Sequence, residues 1–132
     1  MSRGGIELAK RNSNGFKTHF RVWNMKKRLP YKDNFFDAVI VYRAMYHAGI
    51  SMIRKIAKDV ERVVKKGGFI YMESDQSFPI TPRFDRIGKR IGVRTYLIAR
   101  GKDGLIDYHY FNKKELLTLF KNSRIACFWS KN

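Results

Sequence analysis

Two short apolar runs set the pattern of this chain. Phe36, Ala38, Val39, Ile40 and Val41 form one, rich in β-branched residues, and Phe69, Ile70, Tyr71 and Met72 form the other, directly after Gly67 and Gly68. Both predict strands, and the β-branched first run suits one covered on both faces in a parallel sheet. Between them, Ile50, Ile53, Ile56, Ala57, Val60, Val63 and Val64 recur at three- and four-residue spacing, while Arg54, Lys55, Lys58, Asp59, Glu61, Arg62 and Lys65 fill the opposite face. That periodicity predicts an amphipathic helix. Lys65 and Lys66 fall in its expected last turn, where cations complement the helix dipole, and Gly67 is its expected stop. Pro30, Asp33 and Asn34 predict a turn ahead of the first run. Strand, helix and strand in this order make a βαβ unit, with the helix on one face of the sheet.

The flanking segments give a coarser map. Lys17 to Trp23, with Phe20, Val22 and Trp23, reads as a further strand ending at Asn24 and Met25. Gln76 to Gly92 contains Pro79, Pro82, Gly88 and Gly92 and reads as a loop. Val93 to Ala99 and Ile106 to Phe111 predict a hairpin or flap across Gly101, Asp103 and Gly104. Asn112 is placed to cap a helix running through Phe120, with Glu115 as the reciprocal member of a capping box. Ile125 to Trp129 reads as a last strand. No internal repeat or low-complexity tract interrupts the chain.

Leu29, Pro30, Tyr31, Asn34, Phe36, Asp37 and Val39, followed by Asp59, Arg62, Val63, Lys65, Gly67 and Gly68, are similar in order and separation to two sequence motifs of one enzyme family. The chain resembles the class I S-adenosylmethionine-dependent methyltransferases, as a methyltransferase type 11-like domain truncated at its N-terminus. In that family the motifs lead into the fourth and fifth strands. Ser2, Ile6, Ala9 and Lys10 resemble the helix after the family's second strand, and Tyr108 to Phe120 resembles its segment ahead of the terminal strands. The family's first strand, its glycine-rich turn and the acidic residue that holds the cofactor ribose have no counterpart here. The resemblance therefore implies an α/β fold, a partial Rossmann-like three-layer methyltransferase fold with a mostly parallel sheet that lacks the first strands. It treats residues 1–132 as one domain, the C-terminal portion, with 76–111 as a variable substrate-side loop or flap.

Composition narrows the classes. A chain of 132 residues with 44% hydrophobic and 14% aromatic residues is expected to fold and to bury a core. No run of about 18 apolar residues occurs, so no membrane partner is expected, and a cytoplasmic location is. The single cysteine, Cys127, permits no internal disulfide and reads as a strand residue. The net charge of +17 raises a nucleic-acid partner as an expectation, although the basic residues are spread along the chain. Sheet left uncovered by missing strands would favour a homo-oligomer or a partner subunit.

Ligands of open α/β sheets sit at the carboxyl ends of the strands, and that rule selects the candidate residues. By resemblance, Asn24 and Met25 would contact the adenine of S-adenosylmethionine, Asn24 through its amide oxygen and Met25 by packing. A plain turn role for Asn24 is equally open. Tyr42 and Arg43 are the other cofactor-side candidates, Arg43 being able to meet the methionine carboxylate. His47 is the candidate acid or base, since its ordinary pKa lies near neutrality. Tyr46, Glu73 and Asp75 would face the methyl acceptor, a small molecule or a macromolecule. His109 reads as support for the flap. Histidines and cysteine show no metal-ligand spacing. The implied activity is methyl transfer to an unidentified acceptor. The alternatives are a non-catalytic partner subunit or remnant of such an enzyme, and a basic nucleic-acid-binding module.

Overall fold

The computed structural model describes residues 3–13, 15–74, 88–99 and 104–124. Helix α1 spans Arg3–Arg11, with Lys10 and Arg11 in its last turn. Strand β1, Phe36–Tyr42, leads to helix α2, Ile50–Val63, and α2 runs straight into strand β2, Val64–Glu73. Strands β3 (Gly88–Gly92), β4 (Thr95–Ala99) and β5 (Leu105–His109) precede helix α3, Lys113–Leu119.

The expected βαβ unit is present. β1 and β2 pair in parallel, with Val39 opposite Ile70, Ile40 opposite Tyr71 and Val41 opposite Met72. Ile53, Ile56, Ala57, Val60 and Val63 are the buried stripe of α2. They meet Val41, Met45, Tyr46, Ala48, Phe111 and Leu119 in one core, with Val39, Ile70 and Met72 packed against it. Leu119 and Phe111 bring α3 and the end of β5 into that core, so one apolar centre joins both halves of the described chain.

Three expectations for the parallel unit and the chain leading to it need correction. Among the described residues only one face of the parallel pair is covered: Ile40 is 70% exposed, Phe69 66%, Tyr42 61% and Tyr71 48%. The period-two geometry explains it, since these four share the face opposite α2 and nothing among the described residues packs on it. Helix α2 also ends before Lys65. The amides of Asn34 and Phe35 donate to the carbonyls of Arg62 and Val63, at 2.9 and 2.8 Å, so the incoming turn takes the last helical acceptors. Lys65 and Lys66 then belong to a bulged start of β2, where Phe36 pairs with Val64 but Ala38 with Phe69. Gly67 has φ of +80° within that bulge, and a Cβ on Gly68 would lie 2.6 Å from the Asp37 carbonyl oxygen. The glycine pair thus serves a tight strand approach and not a helix stop. Lastly, residues 17–24 form no strand: they carry no ladder and are exposed apart from half-buried Phe20.

The second sheet is antiparallel, in the order β3-β4-β5. Its β4-β5 pairing, Thr95 opposite His109 and Ile98 opposite Ile106, realises the expected hairpin. Gly88–Gly92 adds a third strand where a loop was expected, its Lys89 and Arg90 exposed on the sheet edge. The capping box at α3 is complete: Asn112 Oδ1 accepts from the Glu115 amide at 2.7 Å, and Glu115 Oε2 accepts from the Asn112 amide at 2.9 Å. Residues 125–129 lie outside the described residues.

Candidate active site

The two motifs that carry the resemblance build a clamp, well away from the carboxyl ends of the strands. Arg62 Nε donates to Asp59 Oδ1 at 2.7 Å, its Nη1 to the Tyr31 carbonyl at 2.7 Å and to Asp33 Oδ1 at 2.8 Å, and its Nη2 to the Leu29 carbonyl at 3.1 Å. Asp59 Oδ2 accepts from the Leu29 amide. The two carboxylates raise the proton affinity of Arg62 further, Asp59 most. One guanidinium on α2 thereby fixes the turn that aims β1 into the sheet. Tyr31, Phe35 and Phe36 pack ring to ring in the same turn, with centroids 4.7–5.6 Å apart.

At the other end of the strands, the register puts Tyr42 opposite Glu73. The Arg43 amide donates to the Glu73 carbonyl at 3.0 Å, which closes the last rung of the parallel ladder. Arg43 itself has φ of +47°, an uncommon left-handed conformation for a residue with a side chain, and it turns the chain out of the sheet there. Tyr42, Tyr71 and Glu73 share one face, and the Tyr71 hydroxyl lies 3.4 Å from Glu73 Oε2. Burial first and the Glu73 carboxylate second push the Tyr71 phenol above its ordinary pKa. The carboxyl ends of the adjacent parallel strands thus form a ledge of exposed Tyr42, Arg43 and Tyr71 around half-buried Glu73.

Tyr46 and His47 follow a turn later, Tyr46 in the core and His47 at its margin. Tyr46 is buried, and its ring meets those of His47 and Tyr108 in tilted contacts, with centroids 4.3 and 4.7 Å away. Tyr108 continues to Tyr110 at 4.8 Å, and Tyr110 to Tyr96 at 6.0 Å. His47 is half-buried, edge-on to Tyr108 at 5.5 Å. The His109 amide donates to the Tyr46 carbonyl at 2.8 Å, so the antiparallel sheet is pinned to the loop that leaves β1. That aromatic wall is a feature the sequence reading missed. The signal was the alternation of Tyr108 and Tyr110 across from Tyr96, read there as a plain hairpin.

His109 is completely buried. Its Nδ1 lies 2.8 Å from Thr95 Oγ1, and the Thr95 hydroxyl also lies 3.1 Å from the Val93 carbonyl, to which it donates. The threonine oxygen therefore accepts from Nδ1–H, and Nε2 faces Glu115 Oε2 at 3.7 Å. Burial lowers the His109 pKa, opposed by Glu115 and reinforced by Arg94 and Arg54.

Asn24 and Met25 stand apart from the ledge in role. Asn24 Oδ1 accepts from the Lys26 amide at 3.0 Å and its carbonyl accepts from the Lys27 amide at 2.9 Å, an Asx-type turn. Met25 packs against the core with Leu29. Asp75 lies outside the described residues. A depression of about 460 Å³ lies instead beside the Arg62 clamp, among Arg28, Lys55, Lys58 and Glu61, with no link to the strand ends. Among the described residues, no group of three or more His, Cys, Asp or Glu is arranged to hold a metal ion. No described helix is long and apolar enough to cross a membrane.

A family profile described as a methyltransferase domain matches residues 1–72, more than half of the chain. The chain belongs to this methyltransferase domain family. Among solved structures, the PH0226 protein from Pyrococcus horikoshii OT3 is similar, at 26% identity and a TM-score of 0.66, over 91% of this chain and 57% of that one. A protein from Methanosarcina mazei, described as a SAM-dependent methyltransferase, is similar at 24% identity and a TM-score of 0.64, over 89% of this chain and 63% of that one. The methyltransferase domain described here thus spans about three-fifths of the length of either relative. Its α/β fold is theirs. No functionally curated protein matches the sequence.

Proposed function

We propose that this methyltransferase domain uses S-adenosylmethionine and transfers its methyl group to an acceptor at the carboxyl ends of β1 and β2. One observation carries the reading: in a chain of this family, Tyr42, Arg43 and Glu73 are gathered at the ends of adjacent parallel strands by the Arg43 to Glu73 backbone hydrogen bond. The residues fit the group there. Arg43, an exposed residue, carries a guanidinium of the kind that meets an amino-acid carboxylate, and exposed Tyr42 carries apolar ring surface beside it in sequence.

When bound, the cofactor supplies an electrophilic methyl group on a sulfonium sulfur. The chain contributes by orienting that group and by moving a proton. Arg43 orients the cofactor, Glu73 and Asp75 hold the acceptor, and His47 takes the acceptor's proton where the nucleophile carries one. Tyr46 acts from inside, its ring setting the position of His47. Asn24 holds the turn from which adenine contacts would come, and Met25 braces that turn on the core.

Calorimetric titration with S-adenosylmethionine and with its demethylated product tests the proposal. Micromolar binding that Arg43→Ala weakens at least tenfold supports it. Absence of binding to a chain shown to be folded by circular dichroism refutes it.

A second reading, a non-catalytic subunit that docks on a partner, is favoured by the open apolar face of Ile40, Tyr42, Phe69 and Tyr71. A chain that stays monomeric across a wide concentration range in light scattering argues against self-association through that face.

A further inference from the structure

Between Glu7 and Asp33 the sequence carries eight Lys and Arg residues and no Asp or Glu. Residues 15–28, the centre of this interval, form neither helix nor strand, and all but Phe20 and Met25 are exposed. Phe16 is 76% exposed and Trp23 42% exposed, interleaved with Lys17, Arg21, Lys26, Lys27 and Arg28. Aromatic faces alternating with cations on an irregular, accessible backbone have the chemistry of a single-stranded nucleic-acid tract: cations meet phosphates while rings stack on bases.

Local compensation is slight. Lys26 approaches Asp107 only to 4.0 Å and Arg28 approaches Asp33 to 3.7 Å, both exposed pairs of the kind worth little in water. Arg21 sits 5.8 Å from the Tyr31 ring centroid. No ion pair among the described residues engages Lys17 or Lys27. The tract is also anchored at one end, by the Asn24 turn and by Met25 on the core, so Trp23 is held at the surface of a folded body.

We infer that residues 15–28 bind single-stranded nucleic acid, with Trp23 and Phe16 as stacking platforms and Lys17, Arg21 and Lys27 as phosphate contacts. Trp23 adjoins the Asn24 turn assigned above to the cofactor, but the stacking and phosphate contacts named here fall on other residues, and binding needs no cofactor. A duplex, with its bases stacked inward, offers Trp23 nothing.

The test is fluorescence anisotropy of the full chain with labelled 15-nucleotide oligo-dT, oligo-U and a duplex of equal length, across a salt series. Single strands are expected to bind more tightly than the duplex. Trp23→Ala should weaken single-strand binding at least about fivefold without altering the salt dependence, while Trp23→Phe should restore most of it. Lys17→Ala/Arg21→Ala/Lys27→Ala should lower the slope of log affinity against log salt by about 2, at roughly 0.7 per phosphate contact. Neutralising Lys55, Lys58 and Lys89 should lower it less. Equal affinity for duplex and single strand, or binding untouched by Trp23→Ala in a folded variant, would overturn the inference and leave diffuse attraction by net charge.

Discussion

Replacing Arg62 by alanine tests the central structural argument, that a single guanidinium on α2 holds the turn before β1. The substitution removes four hydrogen bonds and leaves the Asp59 carboxylate, whose side chain is 18% exposed, without its cation. The Asp33 contact counts for little, because that carboxylate is 61% exposed. Each carbonyl contact contributes about 1 kcal/mol net, and stranding a buried charge costs about 3–5 kcal/mol, here reduced by partial access to water. A loss of about 2–4 kcal/mol follows. For a domain of this size that corresponds to a fall in Tm of roughly 6–16 °C. Urea melts followed by circular dichroism read it directly, provided the slope is unchanged. Arg62→Lys should lose about half as much, since a point charge cannot serve Asp59 and two carbonyls together. A double-mutant cycle with Asp59→Ala should return a coupling of at least about 1 kcal/mol. A loss below about 0.5 kcal/mol for Arg62→Ala would refute the clamp, and the motif would need another explanation.

Other outcomes follow from single features. Gly68→Ala should cost about 1–3 kcal/mol in urea melts, because its Cβ would meet the Asp37 carbonyl oxygen at 2.6 Å and Val64 Cγ1 at 2.8 Å. Asn112→Ala should cost about 1 kcal/mol by removing one half of the capping box, measured the same way. His109 should make stability depend on pH. Its folded pKa lies below that of the unfolded chain, about 6.5, so its contribution is full above that value and declines as the pH falls toward the folded value. Comparing urea midpoints at pH 7.5 and 5.5 should therefore show a drop that His109→Gln reduces.

The parts of the fold that sequence revealed are those in which local pattern and tertiary outcome agree. The stripe from Ile53 to Val63 finds the core whatever surrounds it, and the Asn112 and Glu115 pair closes its box within a single turn. Lys65 and Lys66 misled because helix ends are decided by whichever group reaches the last carbonyls, and here distant Asn34 and Phe35 do so. Strand propensity at Phe20, Val22 and Trp23 had no ladder to join. At the site, Tyr42 and Glu73 were legible because topology alone brings parallel strand ends together. Tyr108 and Tyr110 were not, since their contact with Tyr46 depends on how the antiparallel sheet docks, which no local spacing encodes. The motif residues Asp59 and Arg62 identified the family while saying little about chemistry, because their task is to hold a turn.

The exposed apolar residues on the outer face of the parallel pair have a practical corollary for anyone handling the protein. Ile40 and Phe69 would draw copies together, and at low salt the +17 charge holds them apart. Electrolyte shortens that repulsion to about 10 Å at 0.1 M. This basic protein should therefore become stickier, not more soluble, as salt is added, so its colloidal behaviour is governed by a contest between one greasy plane and the charge surrounding it.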